Sequence, residues 1–353
     1  MISASILRNI PHIQPIISNL SQRYSLNSAS LMASGCFDSD ADLRHHASAA
    51  GRFQACDRLT PELIQEQCRL AAIRIQDLFI KHKKIELCEI RQLEKLGIAI
   101  FSSLLRYYRY EAPKTFFDPS QPLQGQTYAI DIFYLADMLD GIVGDFWRSD
   151  NLGNVWQVFG FITTEISISG AQLSQALSAK EQAIIAPYFR FMEEHIVLPW
   201  QKLCAAAAAH GPASQELCLV ERIIPKLPEI SESAHQRWSQ LHPAYHGRRG
   251  SFLNAAVRHS SVRDFTMVQV FLWRCFLEGS LCSIEEELLL FARTIYRRIG
   301  IPWEMTTSGM HILVHEIFKC LDHAERQKFL PYCQRMMKLF PSAQQNLQSY
   351  LLV

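Results

Sequence analysis

The stretch SVRDFTMVQVFLWRCFLEG, running from Ser261 to Gly279, decides the fold class. Val262, Phe265, Val268, Phe271, Leu272 and Cys275 recur at three- and four-residue spacing, which draws one apolar face along a helix. Gly279 then supplies the left-handed stop with which such helices end. Arg263 and Asp264 stand on the opposite side of what reads as the first turn, where the helix dipole favours an acid. Periodicity alone predicts a helix with one buried face and an ionic pair near its start.

Outward from this stretch the chain keeps a helical rhythm. Thr60-Pro61-Glu62 is a cap followed by proline at the first helical position, with Leu63, Cys68, Ala71, Ile75 and Leu78 marking an inward face. Ile85 to Tyr110 continues as one long or broken helix, and its closing tyrosines read as an aromatic patch where helices pack. Ala112 to Gly125, with prolines at 113, 119 and 122, is a loop. Tyr128 to Trp147 is helical again, with a solvated acidic side made by Asp131, Asp137, Asp140 and Asp145. Glu193 to Ala209 ends in five alanines and reads as a connecting helix stopped by His210-Gly211-Pro212. The expected class is all-α.

Composition narrows what such a chain can do. It has 353 residues, enough for two ordinary domains, and its 48% hydrophobic content is enough to build their cores. Lys plus Arg number 35 against 34 Asp plus Glu, so no global field would hold nucleic acid. Ten cysteines without a C-x-x-C pair read as buried thiols in a reducing compartment. No apolar run is long enough for a transmembrane helix. Residues 1–56 read as a flexible segment with a short helix over Ile10 to Leu20, serine-rich and free of Asp and Glu as far as Phe37, with Asp38 to Gly51 as linker. The composition of that segment also resembles an organelle transit peptide.

Two sequence blocks match at an offset of 144 residues. Leu177, Glu181, Pro187, Tyr188 and Met192 fall in register with Leu321, Glu325, Pro331, Tyr332 and Met336. A spacing of that size is a domain length, so two related units in tandem are expected, over 57–200 and 201–353.

Candidate chemistry is sparse. Glu193, Glu194 and His195 are ligand types, but neighbours in a helix diverge. His311 and His315, at i and i+4, are the weak metal candidates; no third ligand is evident. No G-x-S-x-G, glycine-rich phosphate loop or dinucleotide fingerprint is present.

The region 220–340 carries a family resemblance. In phycobiliproteins, globin-related light-harvesting proteins, the helix corresponding to Ser261–Gly279 reads Cys-Ala-Arg-Asp and runs apolar to Ala-Gly. Ser261, Val262, Arg263, Asp264, Glu278 and Gly279 keep that spacing. Ile284-Glu-Glu-Glu-Leu288 is similar to the start of the family's next helix, and Arg298-Ile-Gly-Ile-Pro302 to its Leu-Gly-Val-Pro turn. Ser233-Ala-His-Gln-Arg-Trp-Ser-Gln-Leu-His-Pro243 resembles its Ala-rich helix ending in Phe-Pro. The departure is Ser261, which stands where the family has the cysteine that bonds a linear tetrapyrrole. A hydroxyl is a far poorer nucleophile than a thiolate.

The resemblance implies globin-like packing and a non-catalytic protein without covalent bilin, associating with phycobilisome subunits or other helical antenna proteins. It allows a homodimer. It also implies a cytoplasmic place in a cyanobacterium, or a plastid stroma. A second expectation is a sensor or carrier holding bilin or haem non-covalently, with Arg263 on a propionate and Asp264 on ring nitrogens. A third is an enzyme of bilin or haem handling, with Asp264 as acid or base.

Overall fold

The computed structural model describes residues 4–79, 87–149, 155–247, 250–293 and 301–349. The protein is all-α. Among the described residues the only strand pairs are two short antiparallel ones, β1 (Ser25–Asn27) with β2 (Thr127–Ala129) and β3 (His246–Gly247) with β4 (Gly250–Ser251). The chain divides into two compact units. One gathers Leu20–Asp77 and His82–Ile196; the other gathers Val197–Val353 with Met1–Asn19 and Leu78–Lys81. The division falls between Ile196 and Val197, four residues before the expected one, and the first nineteen residues belong with the C-terminal unit.

The N-terminal segment has the short helix expected over Ile10 to Leu20, as the turn Pro11–Ile13 and the helix after it, and corrects the expectation of a flexible tail and linker around it. It forms α1 (Ala4–Leu7), α2 (Gln14–Gln22), α3 (Ser28–Ala33), α4 (Asp40–His46) and α5 (Ala49–Arg58). Leu7, Ile13, Ile16, Ile17 and Leu20 are buried, a hydrophobic period that outweighs the serine-rich composition around it. The supposed linker is two capped helices. Ser39 Oγ accepts from Asp42 N at 3.2 Å and Ser48 Oγ from Gly51 N at 3.4 Å.

The unit centred on residues 20–196 continues with α6 (Pro61–Phe79), α7 (Leu87–Arg106), α8 (Ile132–Ser149), α9 (Val155–Gln175) and α10 (Ala179–Val197). Helix α7 runs into a π turn at Tyr107–Glu111, and the expected loop follows it. Of the closing tyrosines, Tyr107 and Tyr108 are buried, with Tyr108 meeting Tyr188 edge-on at 5.0 Å, whereas Tyr110 is exposed. Arg52, also buried, ties this region together. It donates to the carbonyls of Tyr108 (3.0 Å), Ala47 (3.3 Å), Ala112 (3.3 Å) and Pro113 (2.6 Å), with its guanidinium over the Phe116 ring. Three of these oxygens belong to the π turn and its exit, and the fourth, on Ala47, also accepts from Phe116 N at 3.2 Å.

The other unit contains α11 (Trp200–Ala208), α12 (Gln215–Ile223), α13 (Leu227–Leu241), α14 (Ala255–Glu278), α15 (Trp303–Lys319) and α16 (His323–Ser349). The expected connecting helix over Glu193–Ala209 is two helices, because Pro199 cannot continue α10 and instead precedes α11. Helix α13 packs against both α14 and α15. Trp273 of α14 stacks on Phe329 of α16 at 4.1 Å, and Gly279 ends α14 at φ 63°, in the left-handed region a side chain disfavours. Ile284–Leu288 lies at the start of a helix, as expected, and forms a π turn within residues 282–293. Most of the segment Arg298 to Pro302 lies outside the described residues.

Candidate functional site

Helix α14 starts six residues before Ser261. The reason is Asn254, whose side-chain oxygen accepts from Ala256 N at 2.9 Å and Val257 N at 3.3 Å and so fixes the first turn there. Arg263 and Asp264 therefore sit in the third turn, beyond the reach of the terminal dipole, which corrects the expectation of a helix-start pair. Nor is the pair solvated: its side chains are 11% and 22% exposed, with Arg263 Nη2 3.2 Å from Asp264 Oδ1.

Ser261 and Asp264, one turn apart, open on a pocket of about 40 Å³ where α13, α14 and α15 meet. Trp238 and Phe265 wall it, crossing edge-to-face at 5.6 Å, with Thr306, Gly309 and Met310 of α15 opposite. Trp238 is held in place because its Nε1 donates to Met305 O at 2.9 Å. Thr306 is 4% exposed, and its hydroxyl has no hydrogen-bond partner. A buried hydroxyl left unmatched costs free energy unless something enters to meet it. Among the described residues the pocket thus sets Asp264 and Ser261 against an aromatic and thioether wall, while the Thr306 hydroxyl stays covered behind it.

Arg263, the third expected site residue, does not line the pocket; it flanks the carboxylate from its own helix. A pocket of this volume takes two or three water-sized centres, so a tetrapyrrole would insert only one ring edge. Trp238 lay inside a stretch the sequence marked. Thr306 and Gly309 carried no local signal, because they reach the pocket from a helix some 40 residues downstream.

The other candidates disperse. His311 and His315 are exposed on α15, whereas neighbouring Glu316 is buried and engaged by Arg237 and by Lys319 at 2.8 Å. Burial raises the Glu316 carboxyl, but the hydrogen bonds from Lys319 and Arg237 outweigh it and hold the group below its ordinary value. Among the described residues no group of three or more His, Cys, Asp or Glu is placed to hold a metal ion.

Glu194 and His195 diverge as helical neighbours must. Glu194 accepts from Arg23 at 2.6 and 2.8 Å, from Tyr24 Oη at 2.7 Å and from Arg190 at 3.0 Å, while His195 meets Asp140 at 2.9 Å. Glu165 of α9 is different again: fully buried, it has one carboxyl oxygen with no partner, lying where a Cβ on Gly97 would stand. Burial first, and then the charge of Glu94, push this carboxyl well above its ordinary range.

No family model matches this chain, and neither does any curated protein or solved structure.

Proposed function

We propose that the protein is non-catalytic and that its C-terminal unit holds an N–H-bearing ligand non-covalently, with Asp264 as the acceptor. The observation that carries this reading is the pocket itself: Ser261 and Asp264 line one aromatic-walled space. A serine at the position of the family's attachment cysteine suits a ligand that comes and goes. The resemblance to phycobiliproteins makes a tetrapyrrole, bilin or haem, the first class to try, with one ring edge in the pocket and Arg263 placed beside it.

The test is titration of biliverdin and of haem into wild-type protein and Asp264→Ala. Losing one charge-assisted hydrogen bond costs about 1.5–3 kcal/mol, so affinity falls roughly tenfold to a hundredfold. Equal affinities, or no binding by either protein, remove the tetrapyrrole reading. Pigment consumed over time would instead give Asp264 an acid or base role.

A second reading, association with helical antenna subunits of a cyanobacterium or plastid, is favoured by Leu241 and Leu253. They are 57% and 95% exposed, Leu241 as the last residue of α13 and Leu253 on the segment that joins it to α14. Exposed aliphatic side chains this close in sequence suit a partner helix. Replacing both with Ser should abolish co-purification with phycobiliprotein subunits; unchanged recovery would discard this interface.

A further inference from the structure

We infer that Tyr134 is a redox-modification site, the place where one-electron oxidation of its unit comes to rest as a neutral tyrosyl radical whose proton passes to Glu111. Tyr134 lies in the first turn of α8, which Asp131 sets by accepting from Tyr134 N at 3.1 Å. From there its hydroxyl donates to Glu111 Oε2, at the end of the π turn that closes α7. Its ring stacks on Tyr107, at the start of the same turn, with centroids 4.7 Å apart and the planes 26° from parallel. Base and stacking partner thus come from a single turn of backbone.

A phenol gives up an electron more easily when its proton has an acceptor, because otherwise a strongly acidic radical cation has to form. The hydrogen bond to Glu111 first, and then burial, raise the Tyr134 hydroxyl, so it is protonated at neutral pH and its oxidation must release that proton. A carboxylate already within hydrogen-bond reach takes it as the electron leaves. Arg106 approaches the other carboxylate oxygen, Oε1, at 3.7 Å and leaves Oε2 to the phenol. Behind Tyr134 the buried rings of Tyr107, Tyr188 and Tyr108 follow one another at 6.3 and 5.0 Å, a contact path along which an electron can move inward to refill a hole or outward to leave one at the surface.

Neighbouring tyrosines are less well placed. Tyr110 is 66% exposed against 40% for Tyr134 and meets an oxidant more often, but the Arg109 guanidinium stands 5.5 Å from its ring centroid and opposes loss of an electron from it. Tyr24 donates to Glu194 at 2.7 Å, yet it is buried, and Glu194, held at about 2 despite its burial by Arg23 and Arg190, is a weak base.

The chemistry balances as follows. A one-electron oxidant removes one electron from Tyr134, and the phenolic proton moves to Glu111. Two such radicals, from two copies of the chain, join by a carbon–carbon bond ortho to their oxygens, and the hydrogen at each joined carbon shifts to its oxygen to restore the phenol. Two electrons and two protons leave in all, and the product is dityrosine.

The experiment is brief illumination of the full chain with a ruthenium polypyridyl complex as photo-oxidant and a pentaammine cobalt complex as electron sink, followed by proteolysis and mass mapping of dityrosine. Residue 134 should occur in more of the cross-links than residue 110. Glu111→Gln keeps the exposed ring and its stack but removes the base, and should lower the share carried by residue 134 by roughly tenfold or more. Arg109→Gln should raise the share carried by Tyr110, and Tyr134→Phe should remove most of the cross-linked dimer. A wild-type share at Tyr110 equal to or above that at Tyr134 overturns the inference without recourse to any variant, and so does an unchanged share in Glu111→Gln.

Discussion

Glu194 and Glu165 are both buried in the same unit and respond to burial in opposite ways. At Glu194 desolvation raises the carboxyl, but the charge and hydrogen bonds of Arg23, with Arg190 and Tyr24, outweigh it and hold the group at about 2. Its folded value lies below its unfolded one, so its contribution is complete above the ordinary 4.5 and is lost as pH falls from there toward about 2. Glu194→Gln leaves Arg23 buried beside a neutral amide, and a loss of about 3–5 kcal/mol is expected at neutral pH. Urea denaturation between pH 2 and 7 checks this: the acid limb should flatten in the variant. Glu165 has its folded value raised, so its contribution is complete below 4.5 and drains away as pH climbs above that. Glu165→Gln should therefore remove much of the stability difference between pH 5 and pH 8; an unchanged difference would assign the proton elsewhere. Neither role was legible in the sequence, where Glu194 stood among three ligand-type neighbours and Glu165 among apolar residues without comment. Arg52 was hidden for the same reason. A single arginine just past an apparent linker gives no hint that four carbonyls converge on it.

At the scale of elements, helix ends carry much of the specification. Asn254→Ala removes the acceptor for two backbone amides, and a loss of about 0.5–2 kcal/mol is expected, read by denaturant titration. The same substitution tests how α14 is set, since a frayed first turn loosens the approach to Ser261. The blocks offset by 144 residues prove to share more than a consensus. Ser178 and Glu181 form a reciprocal capping box before α10, as Asp322 and Glu325 do before α16. Each box glutamate also meets an arginine from an earlier helix of its own unit, Arg58 with Glu181 at 3.3 Å and Arg222 with Glu325 at 2.6 Å. Leu177 and Leu321, and Met192 and Met336, are buried in both. Capping boxes also open unrelated helices, so superposition decides between duplication and coincidence. An experimental structure should superpose α9–α10 on α15–α16; unrelated packing of the two pairs would leave the offset a coincidence. The sequence showed the apolar periods and the caps because both are local. It misplaced the start of α14 because Asn254 lies outside the periodic stretch.

Across the whole molecule the all-α class was legible, and the helix faces with it, since a 3.6-residue period survives any tertiary context. The pocket was half legible: Ser261 and Asp264 stand out by spacing, whereas Thr306 and Gly309 meet them only through the packing of α13 between α14 and α15. The cysteines give a test at this scale. Burial pushes the thiols of Cys56 and Cys275 up to about 11 and those of Cys68 and Cys204 up to about 12, so they stay protonated at neutral pH. Cys218 and Cys282 are exposed. Brief alkylation of the native protein at pH 7.5 followed by peptide mass mapping should mark Cys218 and Cys282 first; early labelling of Cys68 or Cys204 would contradict their packing.

The sharing of one unit between residues up to Asn19 and residues from Val197 onward imposes an order on biosynthesis. The apolar side chains Leu7, Ile13, Ile16 and Ile17 emerge from the ribosome before the unit that buries them, and at about 5–20 residues per second they stay uncovered for on the order of ten seconds or more. During that interval they are a surface for chaperones or for premature self-association, so the nascent chain, unlike the finished one, has to be guarded along this segment.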